Sequence, residues 1–387
     1  MPESTTRPVA LLVTRNFPPL LGGMENVNQR LLRELAREWR VGLCGPEGCA
    51  AHAPEAEIVR ETPVKPLLLF FIGLAVRASA LARKLRPTVV IAGSGLSAPM
   101  AWAAARLSGA SLVVYLHGLD IIAPSRVYQL FWLPFIRACD LVLVNSRNTG
   151  RLAAGRGVVA HRIQVLHPGT DVPDLDPVAG DGFRDRLGLN GKSILLSVGR
   201  LTQRKGLAEF VANVLPAIVA TFPQAVLLVI GEEANDALHT RAGSERDRIL
   251  LAARENGVES NIRFIGHCSQ SDLSAAYQAA QVHVFPVLDM VGDVEGFGMV
   301  ALEAAAHGLR TVAYDVGGVA DAVEDSVTGS MVPSGEHSRF AAAVLKLLES
   351  PQTSEGIAAS RDFAANKDWA HFGARLRALL EALHAAE

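Results

Sequence analysis

The chain has 387 residues, 49% hydrophobic and 20% charged, with a mean hydropathy of +0.23 and a formal net charge of −2. That length suits two domains at roughly 150 residues each, and so much apolar material excludes intrinsic disorder. Only 4 cysteines and 34 glycines are present, which excludes a disulfide scaffold and a collagen-like fibre.

The opening segment Met1 to Pro8 is polar, and the apolar stretch behind it is too short for a secretory leader. Val9–Val13 reads as a strand and Met24–Glu38 as an amphipathic helix, with Val27, Leu31, Leu32 and Leu35 at helical spacing. Further strands are expected at Val41–Cys44, Thr88–Ala92, Ser111–Tyr115, Leu141–Val144 and Ile163–Leu166, with helices around 67–85, 98–108, 125–138 and 146–154 between them. The run Pro66 to Val76 is apolar over 11 residues, about half of the ~20 a bilayer span needs. Continuous apolar strands separated by helices imply a parallel sheet covered on both faces.

Residues 169–190 are rich in Gly, Pro and Asp with little periodicity, and the interdomain linker is placed at their start. The pattern then restarts, with strands at Ile194–Val198, Ala225–Ile230, Ile262–Ile265, Val282–Phe285 and Thr311–Tyr314. Helices are expected near 207–221, 245–256, 271–280, 298–307 and 336–349, and Ser354–Glu387 reads as helical. The expected domains are 1–172, 173–365 and a C-terminal helix, 366–387, that packs back on the first domain. Two Rossmann-like α/β domains facing a central cleft are the predicted architecture, with ligands at the carboxyl ends of the strands.

Charge is unevenly shared. Residues 1–172 carry 19 Lys and Arg against 11 Asp and Glu, whereas the remainder carries 18 against 28. An excess of +8 in the first half suits an anionic partner such as a membrane surface, or it reflects only two different surfaces. No basic cluster interleaved with aromatics points to nucleic acid. Cys44, Cys49, Cys139 and Cys268 have no metal-ligand spacing and read as reduced cytosolic thiols. A cytoplasmic protein is therefore expected.

Three stretches carry candidate chemistry. Gly22-Gly23 follow a proline-stiffened loop and precede a helix, which either presents amides to an anion or makes only a tight turn. Ser197-Val-Gly-Arg-Leu-Thr-Gln-Arg-Lys-Gly206 sets Arg200, Arg204 and Lys205 at the end of a buried strand. Arginine grips phosphate bidentately and lysine adds a compact charge, a pairing suited to a diphosphate; Lys205 is one of only 6 lysines against 31 arginines. Asp293-Val-Glu-Gly-Phe-Gly-Met-Val-Ala-Leu-Glu303 puts Glu295 in a loop, the amides of Phe297, Gly298 and Met299 at a helix start, and Glu303 among apolar neighbours, where it needs a polar partner.

Glu295 and Glu303, seven residues apart within EGFGMVALEAAAHG, resemble the E-x7-E motif of retaining glycosyltransferases of the GT-B fold, especially glycosyltransferase family 4. The Gly-Gly loop, His117-Gly-Leu-Asp120, Asn145-Ser146, Val165–Asp171 and Gly199-Arg200…Lys205-Gly206 fall in that family's order. The resemblance spans roughly residues 9 to 335. It implies that Gly22 and Gly23 lie against a donor diphosphate, which Arg200 and Lys205 neutralise in place of a metal. It further implies that Glu295 contacts the transferred sugar, that Phe297–Met299 hold sugar and phosphate, and that Glu303 accepts from the ribose hydroxyls. His117 would lie beside the sugar at the acceptor face, and Asp120 either contacts the acceptor or caps a helix.

No cofactor is expected beyond the nucleotide-sugar co-substrate. The long loop Val287–Val294 is similar to that of bacterial phosphatidylinositol mannosyltransferases, so a GDP-mannose-like donor is favoured over UDP. The implied acceptor is a lipid-linked or lipopolysaccharide-type glycan, with peripheral association at the inner face of the plasma membrane. Arg310 stands where the family commonly has Pro. The alternatives are a non-hydrolysing sugar-nucleotide 2-epimerase, which would not need E-x7-E beside Arg200 and Lys205, and a non-catalytic sugar-nucleotide-binding subunit, which would be expected to lose Glu295 or Lys205. A nicotinamide-dependent reductase would want G-x-G-x-x-G after the first strand, and Asn16–Gly23 does not supply it.

Overall fold

The computed structural model describes residues 7–233 and 244–385; most of the polar opening segment, residues 1–6, lies outside the described residues. Two units divide the chain: Met1–Gly169 with Trp369–Glu387, and Thr170–Asp368.

The first unit holds seven strands: β1 (Val9–Val13), β2 (Arg40–Pro46), β3 (Ile58–Thr62), β4 (Val89–Ala92), β5 (Ser111–Leu116), β6 (Leu141–Val144) and β7 (Ile163–Val165). They run parallel in the order β3-β2-β1-β4-β5-β6-β7. The second unit holds β8 (Ser193–Val198), β9 (Ala225–Ile230), β10 (Ile262–Gly266), β11 (Val282–Phe285), β12 (Thr311–Tyr314) and β13 (Gly329–Val332), parallel in the order β10-β9-β8-β11-β12-β13. Each sheet therefore has the Rossmann order, with its topological switch between β1 and β4 or between β8 and β11. Chemistry collects at the carboxyl ends of these four strands.

Burial explains why the central strands are apolar throughout. Every residue of β1, β4, β5, β9, β11 and β12 is buried, because helices cover both faces. Two edge strands, β3 and β13, have no counterpart among the predicted elements. Both are short and only partly buried, and Arg60 or Gly329 interrupts their apolar pattern.

Other departures have local causes. The helix expected over 125–138 is divided at Trp132, with Pro134 just inside the second piece, and that over 207–221 is divided at Val214, ahead of Pro216. Within the stretch of little periodicity, Pro177–Leu187 is a helix. Its signals are at the ends rather than in the periodicity: the Asp176 carboxylate accepts from Val178 N at 3.0 Å, Pro177 opens the first turn, and Gly188 closes the helix in the left-handed region.

The last helix, Trp369–Ala385, belongs to the first unit and lies on the helix Gly23–Ala36. Trp369, Phe372, Leu376 and Leu380 are buried. Arg377 donates to Glu34 O at 2.8 Å and pairs with Glu38 at 3.0 Å.

Candidate functional site

In the first unit, a hydrogen-bonded network fills the carboxyl ends of β1, β4 and β5. Asn28 Nδ2 donates to Asn16 O at 2.8 Å and to Gly93 O at 3.0 Å. Asn16 Nδ2 donates to Glu25 Oε1 at 2.8 Å, and Ser94 Oγ donates to Asn16 Oδ1 at 3.1 Å. His117 is buried here. Its Nε2 lies 3.0 Å from Gly93 O, so that nitrogen carries the proton, and its ring packs 4.7 Å from that of Tyr115.

Gly22 is the N-cap of the helix Gly23–Ala36, and a Cβ there would meet Glu25 Oε2 at 2.3 Å. An acid thus already occupies the space beside Gly22, so an anion drawn to these amides would meet a carboxylate that Asn16 holds in place. Sequence reasoning gave Asn16, Glu25 and Asn28 no role. Asp120 has a definite job: Oδ2 accepts from Gly95 N at 2.9 Å, and Oδ1 accepts from His117 N at 2.9 Å and Gly118 N at 3.1 Å. It binds the loop after β4 to the loop after β5, and so sets the position of His117.

In the second unit, β8 runs out through Gly199 into a turn, Gln203–Lys205, and β11 runs out into residues 286–298. Gly206 has φ +70°, and a Cβ on it would lie 2.0 Å from Pro286 O, so the two loops touch at a point only glycine tolerates. Leu288 N donates to Arg204 O at 2.9 Å, a second link between them.

These contacts bring four charges together. Lys205 Nζ lies 2.8 Å from Glu295 Oε2, Arg204 Nη1 donates to the same oxygen, and Arg204 Nε lies 3.1 Å from Asp293 Oδ1. Lys205 also sits 4.7 Å from the centre of the Phe285 ring. All four side chains are 12–17% exposed. Burial opposes ionisation of Glu295, but Arg204 and Lys205 outweigh it and hold the carboxyl down to about 2. Burial dominates at Lys205 and lowers its ammonium below the ordinary value, with Glu295 acting in the opposite direction. Arg204 is the residue sequence reasoning left without a role. Arg200, ranked beside Lys205 in the sequence, is exposed, and it is Arg204 that pairs with Glu295.

The second glutamate lies apart from this cluster along the chain. Gly298, with φ +96°, caps the helix Met299–Ala306, and a Cβ there would meet the Phe285 ring at 2.9 Å. Phe297 and Gly298 are buried and Met299 is half-buried. Glu303 finds its polar partner in Tyr277, whose hydroxyl donates to Oε2 at 3.0 Å. Burial raises the Glu303 carboxyl above its ordinary value, the Tyr277 hydrogen bond opposes this, and Asp171 adds to it.

Comparison with known proteins bears on the family and the fold. The family described as Glycosyl transferases group 1 matches residues 181–361, and Glycosyltransferase Family 4 matches residues 21–173. The chain is 28% identical over 392 residues to the GDP-mannose-dependent alpha-(1-6)-phosphatidylinositol monomannoside mannosyltransferase of Mycolicibacterium smegmatis, covering 96% of this chain and 97% of that one. It is 30% identical over 242 residues to the D-inositol 3-phosphate glycosyltransferase of Mycolicibacterium vanbaalenii, covering 61% and 51%. Among solved structures, Anabaena Alr3699/HepE in complex with UDP superposes with a TM-score of 0.78 at 20% identity, covering 97% of this chain and 100% of that one. Sucrose-phosphate synthase from Thermosynechococcus elongatus superposes equally well at 24% identity, covering 99% and 100%. The two family matches follow one another across the junction of the units and together take in most of the chain, and on that ground the protein belongs to glycosyltransferase family 4, with the GT-B fold.

Proposed function

We propose that this glycosyltransferase transfers a hexose, with mannose favoured, from a nucleoside diphosphate-sugar to an acceptor hydroxyl with retention of configuration and without a metal. The observation that carries the reading is the ionised cluster of Glu295, Lys205 and Arg204 at the β8/β11 switch point. The hard part of such a transfer is charge separation: a diphosphate leaves while positive charge develops on the sugar carbon. Cations already fixed in place stabilise the leaving group without reorganising at the moment of reaction. In this reading Arg200 and Lys205 take the diphosphate, with the amides of Gly22 and Gly23 against it. Glu295, anionic at neutral pH, orients Lys205 and contacts the sugar. The amides at Phe297–Met299 hold sugar and phosphate, Glu303 accepts from the ribose, and His117 flanks the sugar. GDP is favoured over UDP because the relative that covers nearly the whole chain is named for GDP-mannose.

The test is to treat the purified protein with a chelator and screen UDP-, GDP-, ADP- and CMP-sugars for thermal stabilisation and hydrolysis, following the anomeric configuration of the product by NMR. Stabilisation by a GDP-sugar and a retained anomer are expected, and Lys205→Ala should lower turnover by about 100-fold. Failure of every nucleotide sugar to bind, or an unchanged Lys205→Ala, would sink the donor assignment.

For the acceptor we infer a lipid-linked glycan, reached by peripheral docking on anionic lipid at the cytoplasmic face. No helix among the described residues is long and apolar enough to cross a membrane. The helix Leu67–Leu85 nonetheless leaves Leu68, Leu69, Ile72 and Val76 exposed, and the segment around Arg126–Phe131 leaves Val127, Leu130 and Phe131 exposed. The Phe71 and Trp132 rings, 5.6 Å apart, join the two segments. Between Glu61 and Asp140 the chain has eight Lys and Arg but one acid, Asp120, which is spent on backbone amides. Apolar surface carried on a segment with a net excess of basic residues suits anionic headgroups. Sedimentation with phosphatidylglycerol vesicles should exceed that with phosphatidylcholine, weaken with salt, and fall in Leu68→Gln/Leu130→Gln. Equal sedimentation with both lipids would refute docking.

A further inference from the structure

Tyr277 lies on the helix Gln270–Ala279, outside every motif singled out in the sequence, and is 2% exposed. Its single phenolic hydrogen faces Glu303 Oε2 at 3.0 Å and, farther off, Val300 O at 3.3 Å. The ring does not float. It stacks on His307 with centroids 4.9 Å apart and planes 20° from parallel, and meets His283 edge-on at 6.2 Å. His307 is fixed in turn: Nδ1 lies 2.8 Å from Glu303 O, a carbonyl that only accepts, so Nδ1 carries the proton. Nε2, 2.9 Å from Ser274 Oγ, is then the acceptor. Two side chains of one helix, Ser274 and Tyr277, thus bind the turn that bears Glu303 at its carboxylate and, through His307, at its backbone.

We propose that Tyr277 is the positioning residue for ribose recognition: its hydroxyl occupies Oε2 of Glu303, which leaves Oε1 to the nucleoside and favours the carboxylate form. This rests on the reading of Glu303 as the ribose acceptor. A carboxylate accepts from two hydroxyls, whereas a protonated carboxyl spends one oxygen as a donor, so ionisation decides the strength of the contact. The groups around Glu303 divide on this point. Burial and Asp171 favour the protonated form, and the Tyr277 hydrogen bond favours the ionised one. Burial lowers the His307 imidazole below its ordinary value, which favours its neutral form. Without the phenol the carboxyl would take up its proton at a higher pH.

Tyr277→Phe keeps the stacked ring and deletes the hydroxyl. Binding of GDP and UDP and of their 2′,3′-dideoxy forms would be measured by calorimetry from pH 5 to 8 on wild type, Tyr277→Phe, Glu303→Gln and the double variant. In wild type the ribose form should bind about 10-fold more tightly than the dideoxy form, as expected for a hydrogen bond to a charged group. Tyr277→Phe should lose most of that preference and show its acid fall-off at higher pH, with dideoxy binding unchanged. In the double variant the two losses should overlap rather than multiply.

If Glu303→Gln abolishes the ribose preference while Tyr277→Phe keeps it, with an unmoved pH profile, the role given to Tyr277 is wrong. If Glu303→Gln itself keeps the preference, the ribose reading of Glu303 fails first. Should Tyr277→Phe not fold, Ser274→Ala, which removes only the hydroxyl held by His307, should weaken the preference in the same direction; an unchanged preference there would overturn the proposal.

Discussion

Glu295 joins two requirements in one side chain. It must be anionic to orient Lys205 and Arg204, and it is buried, which alone would favour the neutral acid. The two cations settle the contest, holding it down to about 2 from an ordinary 4.5. Because the folded value is depressed, its contribution to stability is complete above the ordinary value and is lost as pH falls from about 4.5 toward about 2. Chemical denaturation of Glu295→Gln should therefore show a loss of roughly 3 kcal/mol at neutral pH, since two buried cations lose their shared anion. The same variant should flatten the acid limb of the stability curve between about 4.5 and about 2. An acid limb as steep as wild type would show that other carboxylates govern it. The residue scale also shows what motif reading misses. Glu295, Glu303 and Lys205 stand out by type and spacing, but Arg204, Asp293 and Tyr277 matter only through partners 91, 89 and 26 positions away.

Loops place the charged cluster and His117, whereas helices carry Glu303 and Tyr277. Gly206 lets the turn after β8 touch the segment after β11, and Asp120 ties the loop after β4 to that after β5. Gly206→Ala is expected to destabilise by about 2 kcal/mol or more, because φ is +70° and the new Cβ would meet Pro286 O. Thermal melting would register this, and an unchanged midpoint would mean that the turn relaxes. The central strands were legible because burial on both faces leaves an unbroken apolar run. Of the four edge strands, β7 and β10 were legible but β3 and β13 were not, since polar residues tolerated at an edge leave them only two consecutive large apolar residues each. The helix Pro177–Leu187 was hidden for another reason: four of its eleven residues are Asp or Arg, so its cap residues carry the signal.

Chain order and unit membership differ at the C-terminus. The second unit is one continuous stretch, Thr170–Asp368, whereas the first is completed only when Trp369–Ala385 returns to it. Removal of residues 369–387 should therefore melt the first unit early and leave the second unchanged, seen as two separated transitions by calorimetry. The lost burial of Trp369, Phe372, Leu376 and Leu380, at about 1.5–3 kcal/mol for each large apolar side chain, sets the direction. A single unshifted transition would show that the helix contributes nothing.

The sequence by itself determined the α/β class, the two successive parallel sheets, the central strands and the glycosyltransferase motifs. These are local or periodic properties, and burial and backbone chemistry write them into consecutive residues. Tertiary structure alone decided that Arg204 pairs with Glu295, that Asp120 serves the backbone, and that Asn28 reaches Gly93 O. Each of these depends on which segments meet beyond the carboxyl ends of the strands, and the chain between such segments is set by packing far from the residues that finally touch.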